Sequence, residues 1–220
     1  MRVSAIIVAA GEGRRYGGPK QFALLKGKSI LDRTLEKFQS HEKVDEIVLV
    51  LPHLKNKNAY LRRYKKISAV VRGGKHRQDS VLNGVRHLEP LGTGIVLVHD
   101  GVRPLVSEGL ISRVIEAAAR TGAAVPALPI EETVKEVHRG KVVRTIDRTR
   151  LFRTQTPQGF AYHRLVSSLE KAARQKSYST DEAGLIERSG GKVVIVEGEA
   201  GNLKITTPSD LLIAEVLLGT

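Results

Sequence analysis

Six short runs, apolar at nearly every position and rich in β-branched residues, recur along this chain. They lie at 3–8, 46–51, 69–71, 95–98, 123–126 and 193–196. A strand with one face in water alternates apolar and polar residues. Runs that do not alternate predict strands buried on both faces, as in a parallel sheet. Between the runs lie helical patterns with recognisable start signals. Ser29-Ile30-Leu31-Asp32 has the form of a capping box and opens a helix to about Gln39. Further helices are predicted over 78–88, 107–120 and 161–175. The last begins at Thr207-Pro208-Ser209-Asp210, with Pro at the first helical position. Strands alternating with helices predict a three-layer α/β fold with a mostly parallel central sheet and right-handed crossovers.

One segment departs from that rhythm. Two β-rich runs, 133–137 and 142–146, flank the turn His138-Arg139-Gly140-Lys141, which predicts a hairpin. It is too polar for the sheet core and is expected to project as an arm. An isolated hairpin is marginal in water, so the arm needs a surface to pack on. A second subunit is the simplest one, giving a homodimer through residues 131–148. No linker, repeat or low-complexity segment divides the chain, so residues 1–220 are expected to form a single domain.

Charge now becomes informative. The chain has 36 Lys+Arg against 23 Asp+Glu, a net charge of +13. The excess is concentrated in 52–90 and 134–176. It suits anionic partners. It equally suits a charged surface of the kind seen in thermophiles, which fits the absence of Cys and the single Met. The run Arg62, Arg63, Lys65 and Lys66 is read as a solvated helix face. Zero Cys excludes disulfides, thiolate metal sites and a Cys nucleophile. The seven His show no H-E-x-x-H spacing, and no G-x-S-x-G elbow is present. Aromatics are only 4%, without a stacking pattern, which argues against a nucleic-acid-binding domain. No apolar run reaches the length of a membrane span, and a cytoplasmic protein without membrane association is expected.

Directly after the first run comes Ala9-Ala10-Gly11-Glu12-Gly13-Arg14-Arg15-Tyr16-Gly17-Gly18-Pro19-Lys20-Gln21. Parallel sheets bind ligands beyond the carboxyl ends of their strands, so the loop is well placed. Ala9, Ala10, Gly11 and Gly13 are small enough to let backbone N–H groups approach phosphate oxygens. Arg15 and Lys20 add full positive charges. A P-loop would need Lys after its second Gly, where Arg14 stands, and a dinucleotide fingerprint would need Gly where Tyr16 stands. Glycines alone would also suit a plain tight turn.

The pattern Ala-Ala-Gly-x-Gly-x-Arg followed by Pro-Lys resembles nucleotidyltransferases that join a sugar or polyol phosphate to a nucleotide. Over 7–212 the chain is most similar to the 2-C-methyl-D-erythritol 4-phosphate cytidylyltransferase family of the non-mevalonate isoprenoid pathway. The resemblance implies a Rossmann-like nucleotidyltransferase fold, CTP and a polyol phosphate as substrates, and Mg²⁺ as cofactor. It implies that Ala9, Ala10, Gly11, Gly13, Gly73, Gly74 and Ser80 hold CTP. The last three lie in Gly73-Gly74-Lys75-His76-Arg77-Gln78-Asp79-Ser80, a glycine turn at a helix start where Asp79 or Ser80 would also serve as a plain cap.

The same resemblance gives roles to Arg15 and Lys20 at the α-phosphate, and to Arg148 and Lys204 at the attacking phosphate. It adds Thr133, donated to the neighbouring subunit, and Thr156 as acceptor contacts. His99-Asp100-Gly101-Val102-Arg103-Pro104 matches the family's His-Asp-Ala-Ala-Arg-Pro except at Gly101 and Val102. An Asp ending a buried strand is costly unless compensated. Substrate hydroxyls, Mg²⁺ otherwise held by CTP, or a turn pair with Arg103 are the options for Asp100. Thr180-Asp181-Glu182-Ala183 reads as an N-cap with acidic first-turn residues and is assigned a structural part. A cytidylyltransferase for another polyol phosphate, such as ribitol 5-phosphate, would share the nucleotide motifs. The acceptor pocket around Thr133, Arg148 and Thr156 would tell them apart.

Overall fold

The computed structural model describes residues 1–88 and 92–219. In chain order the elements are β1 (Arg2–Val8), a 3-10 turn (Lys20–Phe22), β2 (Leu24–Leu25), β3 (Lys28–Ser29), α1 (Ile30–Ser40), β4 (Glu46–Leu51), α2 (Lys57–Arg63), β5 (Ile67–Arg72), α3 (Arg77–Val85), β6 (Thr93–Asp100), α4 (Glu108–Thr121) and β7 (Ala123–Pro129). The arm follows as β8 (Val134–His138) and β9 (Lys141–Ile146). The chain then forms β10 (Phe152–Thr154), β11 (Gln158–Ala161), α5 (Tyr162–Arg174), α6 (Ala183–Arg188), β12 (Val194–Glu197) and α7 (Pro208–Leu217).

The main sheet runs β10-β7-β11-β6-β1-β4-β5, with β12 on β7. β6, β1, β4 and β5 pair in parallel, as the apolar runs predict. Side chains of β1 divide between two layers. Val3, Ala5 and Ile7 pack with Leu31, Leu35 and Phe38 of α1 and with α4. Ile6, on the other face, packs with Val81 and Val85 of α3 and Leu165 and Leu169 of α5. Both faces are covered, which is why these strands carry no polar stripe. β12 is the exception: as an edge strand it leaves Ile195 53% exposed.

Two strands escaped the sequence reading. β11 lies between β6 and β7 and is antiparallel to both. β10 continues it along β7 after an interruption at 155–157. At three and four residues, with Gln and Gly among them, neither shows an apolar run. Helix α2 also ends earlier than the charge run implied. It stops at Arg63 because Tyr64 turns inward, 3% exposed, and donates to Asp32 Oδ1 at 2.7 Å. Lys65 and Lys66 therefore follow the helix, and Lys66 Nζ donates to the His41 carbonyl at 2.7 Å.

The arm is a separate two-stranded sheet. Its turn residues Arg139 and Gly140 have φ of 47° and 76°, the paired left-handed conformation that matches strand twist. Val137, Val142 and Val143 are all more than half exposed on it.

Candidate active site

Loops leaving β1, β5 and β6 meet at the carboxyl edge of the sheet. The loop after β1 is folded around one carbonyl: Gly13 O accepts from the N–H groups of Tyr16 (2.8 Å), Gly17 (3.1 Å) and Gly18 (3.3 Å). Gly13 has φ of 68°, and a Cβ there would overlap the Gly18 carbonyl. The loop's own turn thus demands this glycine before any ligand does. The buried Gln21 amide donates to Ala9 O (2.9 Å) and Gly11 O (3.1 Å), fixing the start of the loop.

The second glycine motif packs directly against the first. A Cβ on Gly73 would overlap the Cβ of Ala10 and stand 3.0 Å from Ser80 Oγ. The structure thus packs Ala10 against Gly73, while Ala9 faces Gly101 and Gly74 faces Asp79. Ser80 is buried and serves that turn: its Oγ accepts from Gly74 N–H (3.1 Å) and donates to His76 O (3.2 Å). Asp79 completes a capping box by accepting from His76 N–H at 3.0 Å.

Asp100 stands at the last position of β6 and is buried. Lys204 Nζ lies 2.8 Å from its Oδ2, Arg77 Nε 3.2 Å from its Oδ1, and Arg103 Nε 3.5 Å from Oδ2. The expected turn pair with Arg103 is thus the longest of three. Burial opposes ionisation of Asp100, but Arg77, Lys204 and Arg103 outweigh it and hold the carboxyl below the usual carboxylate range. Lys20 faces the same cluster. Burial lowers its pKa, and the nearby charges of Lys204 and Arg15 lower it further.

Behind Asp100 lies a closed polar network. The interruption between β10 and β11 brings Thr156 to the end of β6. Its Oγ1 accepts from Asp100 N–H (3.1 Å) and donates to His99 Nδ1 (3.1 Å). His99 Nε2–H then donates to Arg103 O at 3.2 Å. This pattern makes His99 the neutral Nε2–H tautomer. Burial agrees, lowering its pKa to about 3. Asn202 ties the network to the last loop, donating to Thr156 O and accepting from Arg103 on its own carbonyl, both at 2.8 Å.

The His99 network has a stability signature. The unfolded imidazole takes up a proton near pH 6.5, about three units above the folded one. Stability should therefore fall as pH drops from about 6.5 towards 3, by about 1.4 kcal/mol per pH unit from this group. Urea unfolding of the parent and of His99→Gln across that range measures it, and equal slopes would refute the assignment.

Other expected residues lie apart. Thr133 is exposed at the base of the arm. Arg148 is exposed and donates to Ile130 O at 3.1 Å. Among the described residues no hydrogen bond or ion pair joins either to the Asp100 cluster. Arg15 is exposed on the loop. The site also contains residues that sequence reasoning passed over: Arg77, the Arg of the Gly-Gly-x-x-Arg pattern, and Glu182. Glu182, read as an acidic first-turn residue with a structural part, is 1% exposed and paired with Arg77. The cap of α6 comes instead from Asp181, whose Oδ1 accepts from Gly184 N–H at 3.1 Å.

A metal would find little protein here. No group of three or more His, Asp or Glu that could hold a metal occurs among the described residues. A cation carried on a triphosphate needs only one or two protein carboxylates; Asp100, the carboxylate of this cluster nearest Lys204, already has Arg77 on Oδ1 and Lys204 on Oδ2.

The sequence profile of 2-C-methyl-D-erythritol 4-phosphate cytidylyltransferase matches residues 3–220. The chain belongs to the 2-C-methyl-D-erythritol 4-phosphate cytidylyltransferase family. A family member from Syntrophus aciditrophicus is 44% identical over 227 residues, covering 99% of this chain and 96% of that protein. One from Geobacillus kaustophilus is 41% identical, covering 100% and 98%. The crystal structure of the cytidylyltransferase from Francisella tularensis is 33% identical, with a TM-score of 0.87 over 99% of this chain and 100% of that one. That from Thermus thermophilus is 36% identical, with a TM-score of 0.84 over the whole of both chains. The family's fold is therefore the fold of this chain, including the mostly parallel sheet. No helix among the described residues is long and apolar enough to cross a membrane.

Proposed function

We propose that this chain transfers a cytidylyl group from CTP to 2-C-methyl-D-erythritol 4-phosphate in isoprenoid biosynthesis. A phosphate oxygen of the acceptor forms a bond to the CTP α-phosphorus. The bond from that phosphorus to the bridging oxygen breaks in line, and pyrophosphate leaves with the electron pair. A phosphomonoester is already anionic near neutral pH, so positioning and charge stabilisation do most of the catalysis. The observation that carries the reading is the convergence of Lys20, Lys204 and Asp100 beside two interlocked glycine turns.

In this reading Ala9, Ala10, Gly11, Gly13, Gly73 and Gly74 line the nucleotide, and Ser80 holds their turn. Arg15 and Lys20 face the phosphates. Lys204 binds the attacking phosphate, helped by Arg148, with Thr156, Asp100 and Arg103 on the acceptor side and Thr133 donated to the site of the neighbouring subunit. Mg²⁺ would be carried on the CTP phosphates and would supply charge neutralisation, with Asp100 able to ligate it by giving up one of its present cations. Residues 1–220 act as one cytoplasmic domain, and the exposed valines of the 131–148 arm seat it on a second copy.

The test is pyrophosphate release with CTP, ATP, GTP or UTP against a panel of polyol phosphates that includes ribitol 5-phosphate. Release is expected with CTP and methylerythritol phosphate, and its absence overturns the proposal. Sedimentation of the same enzyme should give twice the chain mass; a monomer would remove the dimer.

A further inference from the structure

The most deeply buried carboxylate of the site belongs to a residue to which the reading above gives no part. Glu182 lies at the junction between the 175–182 loop and α6, 1% exposed. Its two oxygens both accept from Arg77 NH1, at 2.8 and 2.6 Å. Arg77 then reaches Asp100 through Nε alone, at Oδ1. That leaves Oδ2 to Lys204 at 2.8 Å, with Arg103 Nε farther off at 3.5 Å. The loop carrying Glu182 is itself clamped to α3. The buried Gln78 donates to Ser177 O and accepts from Ser179 N–H, both at 3.1 Å.

Burying two carboxylates together is expensive, and burial pushes the Glu182 carboxyl up against the pull of Arg77. Anchoring an arginine at that cost has a geometric result. A free guanidinium prefers a two-point fork on a carboxylate. Without Glu182, Arg77 would take both oxygens of Asp100 and compete with Lys204 for Oδ2. Lys204 is 39% exposed, and among the described residues Asp100 is the one anion it pairs with.

We infer that Glu182 is a positioning residue: by anchoring Arg77 it reserves one oxygen of Asp100 for Lys204 and so sets Lys204 for the acceptor phosphate. This rests on the cytidylyltransferase reading. Its specific consequence is that the two substrates respond differently. Glu182→Gln keeps hydrogen bonding to Arg77 but removes the anchoring charge. It should raise KM for methylerythritol phosphate about tenfold while KM for CTP stays within about twofold. A purely structural Glu182 would lower the active fraction and leave both KM values alone.

The decisive arm is a double-mutant cycle with Lys204→Ala. The acceptor effect of Glu182→Gln should vanish in that background, because the residue it positions is gone. Should Glu182→Gln fail to fold, Arg77→Lys keeps the charge and loses the fork, and the same acceptor-specific, non-additive loss is expected. An active parent whose variants show unchanged acceptor KM, or losses additive with Lys204→Ala, overturns the inference. A parent that releases no pyrophosphate from CTP with this acceptor overturns the function itself, and the inference with it.

Discussion

A Lys20→Ala enzyme is expected to turn over CTP about 10²–10³-fold more slowly than the parent, with its fold intact. Lys20 makes no ion pair among the described residues, unlike the cations on Asp100. Its pKa is lowered by burial and by Lys204 and Arg15, so it is held among like charges at a cost the folded chain alone does not recover. An arriving polyanion reverses that repulsion. Charge stabilisation of this kind acts most strongly where the leaving pyrophosphate gathers negative charge. The loss should therefore fall mainly on kcat, and thermal unfolding should shift little or upward, since a repulsion is removed. Near-normal turnover by Lys20→Ala would remove Lys20 from the mechanism.

Asp100→Asn is expected to lose activity and about 3 kcal/mol of stability. Breaking a buried ion pair by removing one partner is costly because the other charge stays behind. Here the loss sits at the low end, since Arg77 keeps Glu182 and Lys204 can turn to water. The pH dependence follows from the depressed carboxyl. A depressed acid stabilises the fold above its unfolded pKa of about 3.9 and stops doing so as pH falls through its folded value. The gap between parent and variant should thus be constant from neutral pH down to about 4, then close. Urea denaturation at pH 7 and pH 3 should show the gap narrowed at the lower pH but not yet closed. A variant as stable as the parent at pH 7 would mean the three cations are not held by this carboxylate.

What the sequence made legible follows from range. The runs at 3–8 and 46–51 announce β1 and β4 because both faces of each are buried, and every residue carries that information. Ser29 and Asp32 announce the start of α1 because a cap is a contact across three residues. Gly13 is legible as a turn, although its first partner is Gly18 and not a phosphate. β10 and β11 were illegible because their place depends on β6 and β7, far upstream. The partner of Glu182 was illegible for a similar reason. An acid before a helix is usually a solvated first-turn charge, and only its partner 105 residues away shows otherwise. Thr156 was legible by motif, yet its hydroxyl proton goes to His99, a partner no local pattern could have indicated.

The insertion of β11 between β6 and β7 also sets an order of assembly. The parallel strands on either side of it are synthesised first, and the slot between them stays open until residue 161 is available. Asp100 acquires Thr156 only when that slot is filled, Glu182 secures Arg77 later still, and Lys204 arrives almost at the end of the chain. Long-range pairings of this kind form late in folding. A nascent or truncated chain can therefore possess the loop after β1 without the completed charge cluster, which is among the last parts of the molecule to exist.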